Sequence, residues 1–192
     1  MPPRTPTALI GAAGEYFVAA ELSRRGWLAT VTIKNAPGTD VLAQHADRPE
    51  LLVAIQTKTT TGKDSWLLSK KDETPTSATH EWYVLVAMGA LADRPSFYVM
   101  PRNHVAAYLW VGHRNWLANS PSPAQSRKDS SMRNVFLSEI QHYRERWDAL
   151  EEPSGMEFVP PGWWAKAVEV VSEHHDWPQQ AQLLGFGPTP PP

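Results

Sequence analysis

The sequence predicts a mixed α/β domain in which one helix leads into three short strands. Three observations predict it. Thr7 to Arg25 runs without a breaker apart from Gly11 and Gly14. Two strand-like runs flank a polar link at Asp47-Arg48-Pro49, and Trp82 to Met88 is almost continuously apolar. A chain of 192 residues is long enough for one well-cored domain with an appendage, and its 42% hydrophobic and 20% charged content is that of an ordinary globular protein.

The elements follow in order. Thr5-Pro6 offers an N-cap and a first-turn proline to the leading helix, which stops at Gly26. Trp27 to Lys34 reads as a strand closed by the turn signal Asn35-Ala36-Pro37-Gly38. Thr39 to Gln44 and Leu51 to Thr59 read as two further strands, followed by a short strand at Trp66 to Ser69 and a polar loop from Lys70 to His80. Trp82 to Met88 and Phe97 to Met100 have the look of buried strands, and Pro101-Arg102-Asn103 introduces a helix over His104 to Trp110. Asn119 to Arg133 reads as a Ser/Pro-rich loop. From Asn134 the spacing of Phe136, Ile140, Tyr143, Trp147 and Leu150 predicts a helix with one buried face. After Glu151-Glu152-Pro153 the composition shifts to a short amphipathic segment and a proline-rich tail.

Composition narrows the chemistry. With no cysteine there are no disulfides, thiolate zinc sites or thiol nucleophiles, which fits a reducing cytoplasm. No apolar run approaches the ~20 residues that span a bilayer, so a soluble protein with no membrane partner is expected. His174-His175-Asp176 lacks the spaced partners of a zinc site, and Trp163, Trp164 and Trp177 read as a segment that docks on its own domain. No phosphate-binding glycine loop, nucleophile elbow or dinucleotide fingerprint is present.

One polar constellation stands out. Side chains alternate along a strand, so Gln56 and Lys58 share a face with Leu52 and Ala54. An antiparallel hairpin centred on Arg48 pairs Gln44 with Leu52, Leu42 with Ala54, and Asp40 with Gln56. An acid, an amide and an amine then gather at one end of an apolar hairpin. Glu15 shares a helical face with Val18 and Leu22 and points toward the sheet, and Gly11 one turn earlier leaves room for a backbone or a phosphate.

The order Gly11…Gly14-Glu15…Leu22…Gly26, then Gly38-Thr39-Asp40, then Ile55-Gln56-Thr57-Lys58 resembles the PD-(D/E)XK phosphodiesterases. It is similar above all to archaeal Holliday-junction resolvases and Mrr-type restriction endonucleases, among which a QxK variant occurs. The resemblance covers roughly residues 8 to 60 by motif and, more loosely, the strands to Met100. It implies a restriction-endonuclease-like α/β core, an α+β mixed sheet flanked by helices in α-β-β-β-α-β order. That core would fill 1–150 as the nuclease-like domain, with 151–192 as a C-terminal appendage. The activity it implies is metal-dependent hydrolysis of DNA by an endonuclease in repair, recombination or defence.

By the same resemblance, Glu15, Asp40, Gln56 and Lys58 are the catalytic set. Asp40, Glu15, the Gln56 amide and the Thr57 carbonyl would hold Mg2+ or Mn2+, since hard oxygen donors suit these ions. Lys34, Lys63, Lys70 and Lys71 flank the site as DNA-backbone contacts, with the Arg127-Lys128 loop as a weaker one. Relatives that cut two strands make a homodimer compatible. The net charge of −2 and isoelectric point near 6.4 run against a nucleic-acid binder, and Gln56 removes one carboxylate from the site. Both favour an alternative, an inactive nuclease-fold module that binds nucleic acid or a regulatory metal. A third reading, a chance motif, predicts that the four residues are dispersed.

Overall fold

A computed structural model of the chain describes residues 5–33, 38–120 and 126–151. Helix α1 (Thr7–Ser23) is followed by strands β1 (Trp27–Val31), β2 (Val41–His45), β3 (Leu52–Thr61) and β4 (Ser65–Ser69) and a 3-10 turn at Lys70–Glu73. Strands β5 (Glu81–Met88) and β6 (Ser96–Pro101), helix α2 (Arg102–Ala118) and strand β7 (Met132–Phe136) come next, and 3-10 turns at Leu137–Glu139, Gln141–Tyr143 and Trp147–Glu151 close the described chain.

Five strands form a mixed sheet in the order β1-β2-β3-β5-β6. Antiparallel pairing joins β1 to β2, β2 to β3 and β5 to β6, whereas β3 and β5 run parallel. The sheet and its flanking helices are the expected α+β class. The connection from β3 to β5 holds β4 and the Lys70–Glu73 turn in place of the helix implied by the resemblance. The turns between Leu137 and Glu151 cover the β6 edge, where the Glu145 N–H donates to the Phe97 carbonyl at 2.8 Å and Tyr98 bridges to Arg144. That closes an edge strand which would otherwise offer open backbone groups.

Helix α1 begins after Pro6, which itself holds the N-cap position, so Thr5 is not the cap; the Pro6 carbonyl accepts the Leu9 and Ile10 N–H groups. Its Ala-rich sequence favours the helix, Val18 and Leu22 are fully buried, and the chain leaves through Gly26 at a φ of +84° that side chains disfavour. In β1, β2 and the first half of β3 burial alternates, with Trp27, Val41, Ala43, Val53, Ile55 and Thr57 inward. Trp82 to Val86 in β5 are all buried, as expected of a strand covered on both faces.

The C-terminal half corrects the sequence reading. Met132–Phe136 is a strand, not the start of a helix. Arg133 and Val135 are buried and their neighbours exposed, a period of two, and the segment pairs antiparallel with β4. The remaining buried positions, Ile140, Tyr143, Trp147 and Leu150, do enter the core, but from successive tight turns, whose spacing of three to four mimics a helix. Phe136 is half exposed. The β4–β7 ribbon is tied to the main sheet by the Trp66 indole N–H, which donates to the Val86 carbonyl at 3.0 Å. Helix α2 continues past Trp110 to Ala118 because one internal glycine, Gly112, costs only about 1 kcal/mol while Val105 to Val111 are buried.

Candidate active site

The β2–β3 ladder has the register expected from the hairpin: Gln44 faces Leu52 and Leu42 faces Ala54. Its last pair is Val41 with Ile55, and the pattern changes at Asp40. The Asp40 N–H donates to the Ile55 carbonyl at 2.8 Å, and Asp40 Oδ2 accepts the Thr57 N–H at 2.7 Å. The carboxylate thus takes the place of the next ladder bond. A strand residue points its N–H and C=O to the same side. The Thr57 carbonyl therefore also faces the Asp40 side, beyond the end of the ladder.

Gln56 and Lys58 lie on the alternate face of β3, half buried. The parallel ladder sets Gln56 beside Tyr83 and Lys58 beside Leu85. Thr57 and Thr59 point the other way, and Gly14 of α1 packs on Thr59 so closely that a Cβ there would overlap the Thr59 hydroxyl. This contact seats Glu15 near the end of the hairpin. Gly11, expected to leave room for a backbone or a phosphate, faces open space.

The charges of Asp40 and Lys58 both act on Glu15. Burial pushes the Glu15 carboxyl up, the Asp40 charge pushes it further, and Lys58 opposes both. Among the described residues, the side chains of Glu15, Gln56 and Lys58 make no hydrogen bond or ion pair, and Asp40 uses its carboxylate only for the Thr57 N–H. Two carboxylates, one of which feels the charge of the other, with an amide oxygen and a backbone carbonyl close by in the chain, make a donor set of hard oxygens. That set suits a divalent cation such as Mg2+. No group of three or more His, Cys, Asp or Glu side chains is placed to hold a metal among the described residues. Any cation here must therefore lean on neutral donors such as Gln56 and Thr57.

The basic residues are placed unequally. Lys63 and Lys71 are exposed, and Lys70 is exposed but ion-paired with Asp129 at 2.7 Å. Lys34 lies outside the described residues, as do the Trp163-Trp164, Trp177 and His174-His175-Asp176 segments and all of the appendage beyond Glu151. Arg127 is engaged: it donates to the Trp116 carbonyl at 2.7 Å and its guanidinium lies 4.9 Å from the Trp116 ring.

Three residues near Lys58 escaped the sequence reading. Asp72 accepts hydrogen bonds from the Ser69 N–H at 2.8 Å, the Ser69 hydroxyl at 2.9 Å and the Tyr83 hydroxyl at 2.7 Å. Arg102 donates to the Asp72 carbonyl at 2.7 Å and lies over the Tyr83 ring at 5.4 Å. Burial works against the Asp72 charge, but the hydrogen bonds from Tyr83 and Ser69, with the charge of Lys58, hold its carboxyl below the usual range. The signals in the sequence were the Ser69-x-x-Asp72 capping spacing and a tyrosine beside Trp82 at the head of an aliphatic run.

No protein-family model matches the sequence, and no curated protein does. Among solved structures, the chain is similar to the Holliday junction resolvase Hjc of the archaeal hyperthermophile Archaeoglobus fulgidus. That match has a TM-score of 0.45 and 14% identity, over 73% of this chain and 95% of the other. It is also similar to a bacterial homing endonuclease, I-Ssp6803I, with a TM-score of 0.47 and 14% identity over 76% of this chain and 93% of that one. No helix of the described residues is long and apolar enough to cross a membrane.

Proposed function

We propose that the chain is a divalent-metal-dependent endonuclease that hydrolyses phosphodiester bonds in DNA, working in repair, recombination or defence. The observation that carries this reading is the Asp40–Thr57 hydrogen bond, which pins the acid to the strand bearing Gln56 and Lys58, while the charges of Asp40 and Lys58 both act on Glu15. Asp40, Glu15, the Gln56 amide oxygen and the Thr57 carbonyl hold the cation, Mg2+ or Mn2+. When bound, the ion supplies positive charge at the scissile phosphate and acidifies a water. Lys58 orients that water or neutralises charge developing on the phosphate. Lys63, Lys71, Lys34 and, once released from Asp129, Lys70 contact the backbone of the DNA on either side. A homodimer would bring two such sites to the two strands of a duplex.

The test is incubation of plasmid, single-stranded and branched DNA with Mg2+ or Mn2+, alongside Asp40→Ala and Lys58→Ala. Metal-dependent cleavage lost in both variants is the expected result. A second reading, an inactive module that holds DNA or a regulatory metal, is favoured by the neutral Gln56. Absence of cleavage on every substrate, with DNA binding unchanged in Asp40→Ala, selects it.

A further inference from the structure

We propose that Asp72 and Tyr83 form a positioning pair for Lys58, supplying from outside the motif the negative charge that Gln56 lacks. The inference rests on the nuclease reading above and names residues that no part of the QxK motif contains. Its basis is placement. Tyr83 stands beside Gln56 in the parallel ladder, and neighbours in register share a sheet face, so the tyrosine and Lys58 lie on the same side of β3 and β5. The Tyr83 hydroxyl reaches Asp72 at 2.7 Å, and Asp72 is 4% exposed.

Capping alone does not account for Asp72. The Lys70–Glu73 turn needs one acceptor for the Ser69 N–H, which a neutral side chain could supply. A buried carboxylate is costly unless a cation compensates it. Among the described residues Asp72 has no ion pair, and Arg102 spends its hydrogen bond on the Asp72 backbone carbonyl rather than on the carboxylate. Lys58 is the lysine whose charge acts on the Asp72 carboxylate. Lys58 shares the sheet face of Tyr83, and its charge acts on Asp72 as well as on Glu15. Tyr83 fixes the carboxylate with its hydroxyl, and Arg102 fixes the tyrosine ring. Neither Asp72 nor Tyr83 touches substrate in this arrangement; they set where the lysine stands.

The experiment measures kcat and KM separately for DNA cleavage in saturating Mn2+ with the full-length protein, for the wild type, Asp72→Asn and Tyr83→Phe. Thermal melts accompany each. Asp72→Asn keeps the shape and the cap but removes the charge, and is expected to lower kcat by about tenfold or more with KM within about twofold. Tyr83→Phe is expected to lower kcat by about threefold or more in a folded protein. If Asp72→Asn does not fold, Tyr83→Phe decides alone, since it removes one hydroxyl and no charge. A wild type that cleaves, with kcat unchanged in the folded variants, overturns the positioning role and leaves both residues as a cap. A wild type that cleaves nothing overturns this inference together with the reading beneath it.

Discussion

Asp40 holds the Thr57 backbone across 17 residues of sequence through one hydrogen bond of 2.7 Å, so the same carboxylate closes the β2–β3 ladder and faces the proposed cation. The two duties separate by mutation. Asp40→Ala leaves the Thr57 N–H, part-buried, without its acceptor and should cost about 1–3 kcal/mol in urea unfolding. Asp40→Asn keeps an oxygen acceptor and should cost clearly less, yet lose cleavage as completely. Equal losses of stability in both variants would show that the charge, not the acceptor, holds the strand.

Glu15 is held at a cost. Its carboxyl is pushed up by burial and by Asp40 from an ordinary value of 4.5, so the folded state binds its proton more tightly than the unfolded one. Stability contributed by this residue therefore falls as pH rises through the folded value and stays reduced at neutral pH. Glu15→Gln should raise the urea midpoint at pH 7, and the gain should vanish below about pH 4.5, where both states are protonated. Mg2+ should raise the melting temperature of the wild type more than that of the variant.

Glu21 has the opposite sign. It is 6% exposed and forms ion pairs with Arg25, with Arg24 at 3.0 Å and with Arg94 at 3.0 Å. Burial opposes its charge, but hydrogen bonds from Arg94 and Arg25 outweigh it and bring the carboxyl down to about 2. The stabilisation is complete above the ordinary value near 4.5 and is lost as pH falls through about 2. Glu21→Gln should thus lower the urea midpoint at pH 7, with the difference from wild type shrinking between pH 4.5 and 2.

Gly14 should tolerate no side chain while Thr59 faces it. Gly14→Ala forces the helix off β3 and should destabilise by about 1–3 kcal/mol, as overpacking does. Thr59→Ala removes the hydroxyl and methyl that a Cβ would meet, so the double variant should recover part of the loss in a double-mutant cycle. Strict additivity would argue that helix and strand do not meet there.

Gln56→Glu restores a third carboxylate. Mn2+ binding followed by calorimetry should tighten by about tenfold, because site charge sets affinity for hard cations. Unchanged affinity would place the cation away from β3.

What could be read in the sequence was local. The alternation of Leu52 to Thr59 and the turn at Asp47-Arg48-Pro49 sufficed for the β2–β3 register, and the spacing of Val18 and Leu22 marked the buried face of α1, beside which Glu15 is half buried. The rest depended on contacts across long stretches of chain. Tyr83 meets Gln56 only because β3 and β5 pair in parallel, and Asp72 joins them from a turn that no periodicity marks. Residues 134 to 150 carried a spacing that fits a helix or a train of tight turns equally well. Pairing of Met132–Phe136 with β4, in which Ser65 meets Phe136 from 71 positions upstream, decided between them. The contact of Gly14 with Thr59 hung on how α1 is rotated over β3, at about 100° per residue, which spacing alone does not give.

The third of five strands carries Gln56 and Lys58, whereas Asp40 lies just outside β2 and Glu15 on a surface helix. Central strands release their amide hydrogens to solvent only when the whole domain opens, and peripheral elements do so in smaller, more frequent openings. The two halves of the site therefore differ in lifetime. In hydrogen-exchange measurements the Ile55–Thr59 amides should be the slow ones, and transient loosening of α1 or of the Asp40 bend should disassemble the acidic half while the lysine half stays in place.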